Sequence, residues 1–173
     1  MPNWCQNDLR VEGPKESVEE LVQFAAGKSP FDFNRVIPYP EEFRRLDELA
    51  EAWDEEHAGR PASDWLARPK DGFNSGGYEW RVEHWGTKWS AYRVEVEGPV
   101  TGYDGKTLEV VFHFDTAWSP PTPVIKRAAE LYPALRFELR YFDCRAQFNG
   151  LFYCCDGEVK ADESGPYFGD RGG

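Results

Sequence analysis

The stretch Leu108-Glu-Val-Val-Phe-His-Phe-Asp115 places Leu, Val, Phe and Phe at every second position. A period of two is typical of a strand that buries one face and exposes the other. Tyr92–Val96 alternates in the same way, and the turn-forming pair Asp104-Gly105 lies between the two segments. We therefore expect an antiparallel hairpin in the second half of the chain.

The residues after this hairpin predict a helix and two more strands. Prolines at the helix start and apolar residues at helical spacing predict a helix over 122–132, which Pro133 ends. Leu135–Tyr141 alternates again and predicts a strand, and a last strand is expected near 147–155. The Gly- and Asp-rich residues 158–173 are expected to form a flexible tail.

The first residues of the chain predict a strand followed by a helix. Leu9–Val11 alternates with charged residues, and Gly13-Pro14 ends this strand. Ser17-Val-Glu-Glu20 has the spacing of a capping box, so a helix is expected at about 17–26.

With residues 30–89 set aside, the predicted order is β-α-β-β-α-β plus one added C-terminal strand. This is the ferredoxin-like split β-α-β arrangement, an α+β fold with an antiparallel sheet and helices on one face. We expect a single domain over 1–157, with a long insertion at about 30–89 after the first helix. The insertion is expected to hold a helix after Pro40 and a loop over 59–78. The predicted core includes Leu21, Phe112, Ile125, Phe137 and Leu139.

Four short motifs occur together in this order: Met1-Pro-Asn-Trp-Cys5, Ile37-Pro-Tyr-Pro-Glu-Glu42, His84-Trp-Gly-Thr-Lys-Trp89 and Thr116-Ala-Trp-Ser-Pro-Pro121. In combination they resemble the YubB-like, ferredoxin-like-domain family of phage and plasmid proteins, from Met1 to about Gly157. The resemblance implies a ferredoxin-like fold. It implies no established activity, substrate or catalytic residue.

The tryptophan motifs carry the densest group of chemically distinctive side chains, and they predict a candidate pocket. We expect Lys88 to lie between two rings, with its ammonium near a ring face or a carboxylate such as Asp115. The alternative is that the tryptophans only fix the insertion onto the sheet as core residues. The candidate pocket residues are Asn3, Trp4, Asn7, His84, Trp85, Lys88, Trp89, Asp115, Trp118 and Ser119.

Other kinds of site find little support in the sequence. His113 and Asp115 share one face of a strand, which makes acid–base chemistry geometrically possible, but no motif places a nucleophile beside them. Catalytic residues therefore stay unknown. The four cysteines form no CxxC pair and are expected to be reduced thiols, so we expect no metal site. No glycine-rich phosphate motif is present, and no cofactor is expected.

The formal net charge is −11, and the segment 41–57 contributes over half of it. Such an acidic surface repels phosphate backbones and anionic lipids, and the exposed sheet face offers few rings on which bases could stack. We therefore expect no direct binding to nucleic acid or membrane, while a protein partner stays possible. The start of the chain lacks the features of a secretory signal, and no apolar run of transmembrane length occurs, so a cytoplasmic location is expected.

Three hypotheses for the function follow. The preferred one is a small, non-catalytic binding or interaction protein of a phage- or plasmid-type mobile element. The first alternative is an enzyme with a tryptophan-lined pocket around Lys88 and Asp115. The second is an acidic decoy of nucleic acid that occupies a nucleic-acid-binding protein.

Overall fold

A computed structural model describes residues 3–59 and 66–168. These residues form six strands and five helices, joined by a 3-10 turn at Phe73–Ser75 and by loops. In chain order the elements are β1 (Trp4–Pro14), α1 (Lys15–Ala25), α2 (Phe33–Val36), α3 (Glu41–Glu56), α4 (Gly77–Trp85), β2 (Tyr92–Thr101), β3 (Thr107–Ala117), α5 (Thr122–Leu131), β4 (Arg136–Asp143), β5 (Phe148–Cys155) and β6 (Glu158–Pro166).

The strands form one antiparallel sheet in the order β2-β3-β1-β4-β5-β6. Its first four strands have the order of the split β-α-β arrangement, in which α1 and α5 each connect strands that are not neighbours. The predicted ferredoxin-like α+β fold is therefore confirmed. The match includes the hairpin of β2 and β3, the insertion after α1 and the strand added after β4.

The core lies between one face of the sheet and the helices. Alternate residues of β1, β3 and β4 point into it, because successive side chains of a strand face opposite ways. The five residues predicted for this core, namely Leu21, Phe112, Ile125, Phe137 and Leu139, are all fully buried. That prediction is confirmed.

The helix α1 begins three residues earlier than a capping box at Ser17 requires. Its first residue is Lys15 and its N-cap is Pro14, which makes no side-chain capping bond. Ser17 therefore lies inside the first turn and does not cap it. The N–H of Lys15, the first residue of the helix, donates to the Lys106 carbonyl at 3.1 Å, which satisfies one of the free donors of the helix start without a serine cap.

The insertion contains more helix than its sequence predicts. The expected loop over 59–78 includes the 3-10 turn at Phe73–Ser75, and α4 starts at Gly77; residues 60–65 lie outside the described part. Gly76 has φ of +116°, a conformation that glycine adopts without strain, and it redirects the chain into α4. The prediction failed here because Gly and Ser residues in this segment were assigned to loop.

The expected flexible tail is wrong for residues 158–166. Asp156 and Gly157 both have positive φ and connect β5 to β6, whose pairing runs from Cys155↔Glu158 to Phe148↔Pro166. A two-residue Asp-Gly turn is a strong hairpin signal, because both positions need positive φ. The polar composition of β6 is typical of a tail, whereas the Asp156-Gly157 turn before it predicts a hairpin and therefore a strand. Residues 169–173 of the expected tail lie outside the described part.

The sheet face away from the helices carries more rings than expected. Cross-strand pairing places Tyr92, Asp115, Gln6, Phe142, Asn149 and Gly165 in one row across all six strands. The next row contains Glu95, His113, Asp8, Arg140, Leu151 and Glu163. We call this surface the open face. The expectation of few rings overlooked Trp4, Tyr92, Phe142 and Tyr153, since it considered mainly the charged positions of the strands.

Within the described ranges, the helices are too short or too polar to cross a membrane.

Candidate functional site: an exposed aromatic surface

The Trp85-Gly-Thr-Lys-Trp89 segment is a turn fixed to the end of β3. Gly86 has φ of +77° and ends α4, its N–H donating to the carbonyl of Val82. A Cβ at this position would lie 2.8 Å from Pro123, so glycine is required for both conformation and space. The hydroxyl of Thr87 donates to the carbonyl of Ala117 at 2.9 Å. The hydroxyl of Ser119 donates to the Gly86 carbonyl.

This turn sends its two tryptophans into different environments. Trp85 is 3% exposed and packs edge-on against Phe33, and its indole N–H donates to the Ile37 carbonyl at 2.9 Å. Trp89 is 36% exposed. The first indole is therefore part of the core, where it packs within the insertion against Phe33, which in turn contacts Phe114 of β3. The second indole faces solvent at the sheet end.

Lys88 lies between two aromatic rings. Its Nζ is 4.1 Å from the centroid of Trp89 and 4.0 Å from that of Trp118, well within the range of a cation–π interaction. Trp118 is 46% exposed and has φ of +75°. Its backbone N–H donates to the Asn3 carbonyl at 3.0 Å, which fixes the bend after β3.

Two more rings extend this cluster along the sheet. Trp4 stacks on Tyr92 with centroids 5.1 Å apart and planes at 16°, and it lies 6.0 Å from Trp89. Tyr92 is 48% exposed. We call these five residues the aromatic surface: Trp4, Lys88, Trp89, Tyr92 and Trp118.

Asp115 lies on the open face directly opposite Tyr92 in the strand pairing. Burial raises the pKa of its carboxyl group, and the nearby positive charge of Arg93 opposes that shift. In the described part of the chain, Asp115 makes no salt bridge with Lys88, whose ammonium lies over the two indoles instead. Of the two positions expected for this ammonium, near a ring face or near a carboxylate such as Asp115, the structure shows the first.

Three of the ten candidate residues lie away from the aromatic surface. Trp85 is in the core, as described above. Asn7 is buried on the helix side of the sheet, where its amide donates to the Cys5 carbonyl and to the Thr116 hydroxyl, both at 2.9 Å. His84 stacks on Trp80 within α4 at 4.4 Å. These positions correct the expectation of one common pocket. Trp4 and Asn7 lie on opposite faces of β1, and the neighbours His84 and Trp85 of α4 point in different directions.

His113 pairs with Asp8 rather than with Asp115. Its Nδ1 lies 2.7 Å from the Asp8 carboxylate, and its Nε2 lies 3.5 Å from Glu97. The hydrogen bond to Asp8 raises the pKa of His113, burial opposes this, and Glu97 adds to it. The ring is held between two carboxylates, an arrangement that stabilises the imidazolium form.

The acidic helix α3 is partly neutralised by arginines. Arg44 pairs with Glu41 and Glu48 on the helix itself. Arg68 and Arg81, from later parts of the insertion, pair with Asp54 and Asp47. An acidic decoy needs a row of carboxylates available to a partner, and these pairs remove four of the eight that the sequence offered on this segment.

Sequence reasoning missed Tyr92 as a member of the surface and missed Asp8 as the partner of His113. Both contacts join residues about 90 to 105 positions apart, and both follow from strand register. The only available signal was the alternation pattern, which predicts which face a side chain occupies but not its neighbour on the next strand.

Comparison with known proteins agrees with the fold and is silent on activity. Residues 100–167 match the family model described as the ferredoxin-like domain in Api92-like protein, which covers less than half of the chain. The crystal structure of the protein api92 from Yersinia pseudotuberculosis matches with a TM-score of 0.55 and 10% sequence identity, over 98% of this chain and 99% of that one. No curated protein sequence matches this chain.

At 10% identity the likeness to api92 concerns the fold alone. It extends over nearly all of both chains, so it includes the insertion as well as the sheet. The family match begins near the end of β2 and ends at Tyr167, and therefore excludes most of the aromatic surface, which lies before residue 100 apart from Trp118.

Proposed function

We propose that this protein is a non-catalytic interaction protein of a phage- or plasmid-type mobile element, and that its aromatic surface binds a basic segment of a partner protein. The observation that carries the proposal is the contiguous group of exposed rings around Lys88. Trp89, Tyr92 and Trp118 are each exposed by a third or more. Tryptophan and tyrosine are the side chains that most often dominate the binding energy of protein interfaces.

The basic character of the partner follows from charge. The chain has a formal net charge of −11, and such a field attracts positively charged partners over long distances. Beside the aromatic surface, the open face adds the carboxylates of Glu95, Glu97 and Asp115. The aromatic surface itself contains one positive charge, that of Lys88, and the cation–π contacts with Trp89 and Trp118 already engage it.

The mobile-element origin rests on the resemblance of the four sequence motifs to the YubB-like family. We place the interaction in the cytoplasm, because Cys5, Cys154 and Cys155 form no disulfide with one another in the part of the chain that the structure describes, and thiols of this kind persist in reducing compartments. Neither nucleic acid nor membrane is the proposed partner, since both carry the same sign of charge as this protein.

The test is affinity capture from the native host with three forms of the full chain. The double variant Tyr92→Ala, Trp118→Ala removes two exposed rings. The control Tyr103→Ala removes a fully exposed ring from the turn between β2 and β3. We expect the wild type and the control to capture the same basic protein, and the double variant to retain about a tenth of it or less.

Two results would contradict the proposal. The first is equal capture by the double variant, with thermal melts showing that all three forms are folded. The second is a captured partner whose binding segment is acidic, because attraction by charge would then play no part.

A further inference from the structure

A groove of about 630 Å³ lies on the open face over β4, β5 and β6, separate from the aromatic surface. Its volume is within the range of small-molecule sites in proteins. Its lining includes Phe142 and Asn149, which are opposite each other on β4 and β5, and Tyr167 and Phe168, which follow β6. Phe142 and Tyr167 are stacked with centroids 6.1 Å apart, and Phe168 is 79% exposed.

The groove is open because of Gly165. This residue pairs with Asn149 across the strands and therefore lies in the same row as Phe142. A Cβ built at Gly165 meets no atom within 4 Å, so a side chain there would extend into free space. Along β6, the residue on the same face one row away is Glu163, which also lines the groove.

The polar groups of the groove have opposite charges. Arg140, Leu151 and Glu163 form one row, so a cation and a carboxylate lie two strands apart, about 10 Å between backbones. Arg140 donates to Glu138 at 2.8 Å and lies opposite Asp8 in the register of β1 and β4. An anionic ligand would meet these carboxylates, whereas a cationic ligand would meet Arg140.

From these observations we infer that the groove binds a neutral, planar heteroaromatic ring with hydrogen-bonding edges, the chemistry of a nucleobase or free nucleoside. The exposed ring of Phe168 and the half-buried ring of Tyr167 offer faces for stacking, and the buried Phe142 supports Tyr167 from below. The amide of Asn149 donates one hydrogen to the Phe168 carbonyl at 3.5 Å, which leaves its second hydrogen and its carbonyl oxygen for a ligand. Arg140 offers donors, and Glu163 offers an acceptor. Stacking combined with hydrogen bonds to the ring edge is the usual way in which proteins hold an unpaired base.

This inference is independent of the proposed partner protein, because the two surfaces share no residue. The test uses amide NMR spectra of the full chain, titrated with the four ribonucleosides at millimolar concentration. We expect at least one nucleoside to shift amides of 140–142, 149–151 and 163–168 and to leave the aromatic surface unchanged. Its 5′-monophosphate should bind about fivefold more weakly, since the added charge approaches several carboxylates.

Two variants and one control locate the site. Gly165→Leu should fill the groove and abolish the shifts, and Ala161→Leu, on the same face of β6 but outside the groove, should leave affinity unchanged. Phe168→Ala removes an exposed ring without touching the core, and affinity should fall about tenfold. This second variant keeps the test decisive if leucine at 165 disturbs the strand.

The inference is wrong if none of the nucleosides shifts the groove amides, or if both Gly165→Leu and Phe168→Ala bind as the wild type does. N-acetyltryptophanamide serves as a ring with a single edge donor. Equal affinity for this compound would show that the polar edge groups contribute nothing, which also overturns the assignment to a base.

Discussion

Trp85 and Trp89 are four residues apart in one short motif, yet they belong to different parts of the molecule. Trp85 is buried within the insertion with its N–H bonded to the Ile37 carbonyl, and Trp89 faces solvent beside Trp4 and Lys88. The left-handed Gly86 between them ends α4 and separates the two directions. A dense aromatic motif is thus two structures joined by a glycine, one that stabilises the fold and one that is available for binding.

The largest effect is expected from Trp85→Ala. The substitution removes a buried indole and its hydrogen bond, so the free energy of unfolding should fall by about 3–5 kcal/mol. Denaturant melts measure this directly. A loss below about 1 kcal/mol would mean that the Trp85 ring is not enclosed in the core as its burial indicates. If the alanine variant does not fold, Trp85→Phe isolates the lost bond to Ile37 and should cost about 1–2 kcal/mol.

A smaller effect is expected from Trp89→Ala, whose free energy of unfolding in the same denaturant melts should fall by about 2 kcal/mol. Its ring is partly exposed, so less apolar surface is removed from contact than at Trp85, and the contacts with Trp4 and Lys88 are lost. A loss equal to that of Trp85→Ala would erase the distinction between the two indoles. Tyr103→Ala, a fully exposed ring, is the control and should change stability by less than about 0.5 kcal/mol.

The division between these two tryptophans shows what the sequence could predict. Alternation along β3 and β4 indicated the correct inward faces, because burial on a strand has a period of two. The motif also indicated that Lys88 lies between two rings, since the turn is short. It could not indicate that Trp118, rather than Trp85, supplies the second ring, because that depends on where the end of β3 meets the turn.

The failures have the same physical origin. β6 is polar on both faces because it lies at the edge of the sheet, so its composition resembles that of a tail, and the Asp156-Gly157 turn was the only strong signal. The pairing of His113 with Asp8 depends on the register between β1 and β3, over a separation of 105 residues. Local patterns carry no information about contacts between distant strands.

Lys88→Met sharpens the comparison by removing the charge while keeping most of the aliphatic stem. The variant should lose about 0.5–1 kcal/mol, the usual contribution of a partly exposed cation–π contact. Lys106→Met, at the turn between β2 and β3, is the matched control and should be neutral. A Lys88→Met variant as stable as the wild type would show that the two indoles pack on the stem alone and that the ammonium adds nothing to the fold.

The smallest effect is expected at the edge of the aromatic surface, for Asp115→Asn. Burial raises the pKa of Asp115 in the folded state above its ordinary value of 3.8, so the fold favours the neutral acid. The corresponding stability is fully present below pH 3.8, and it is lost as the pH rises through the higher folded value. Asparagine is neutral at every pH, so the variant should be about 0.5 kcal/mol more stable than the wild type at pH 7. At pH 3 the two should be equally stable.

Thermal melts at both pH values measure the difference in stability. Glu95→Gln, on the neighbouring strand, is the control and should show no gain in stability at pH 7. A variant that is less stable at pH 7 would mean that the Asp115 carboxylate is favourably paired, and that this end of the open face is held together by charge as well as by its rings.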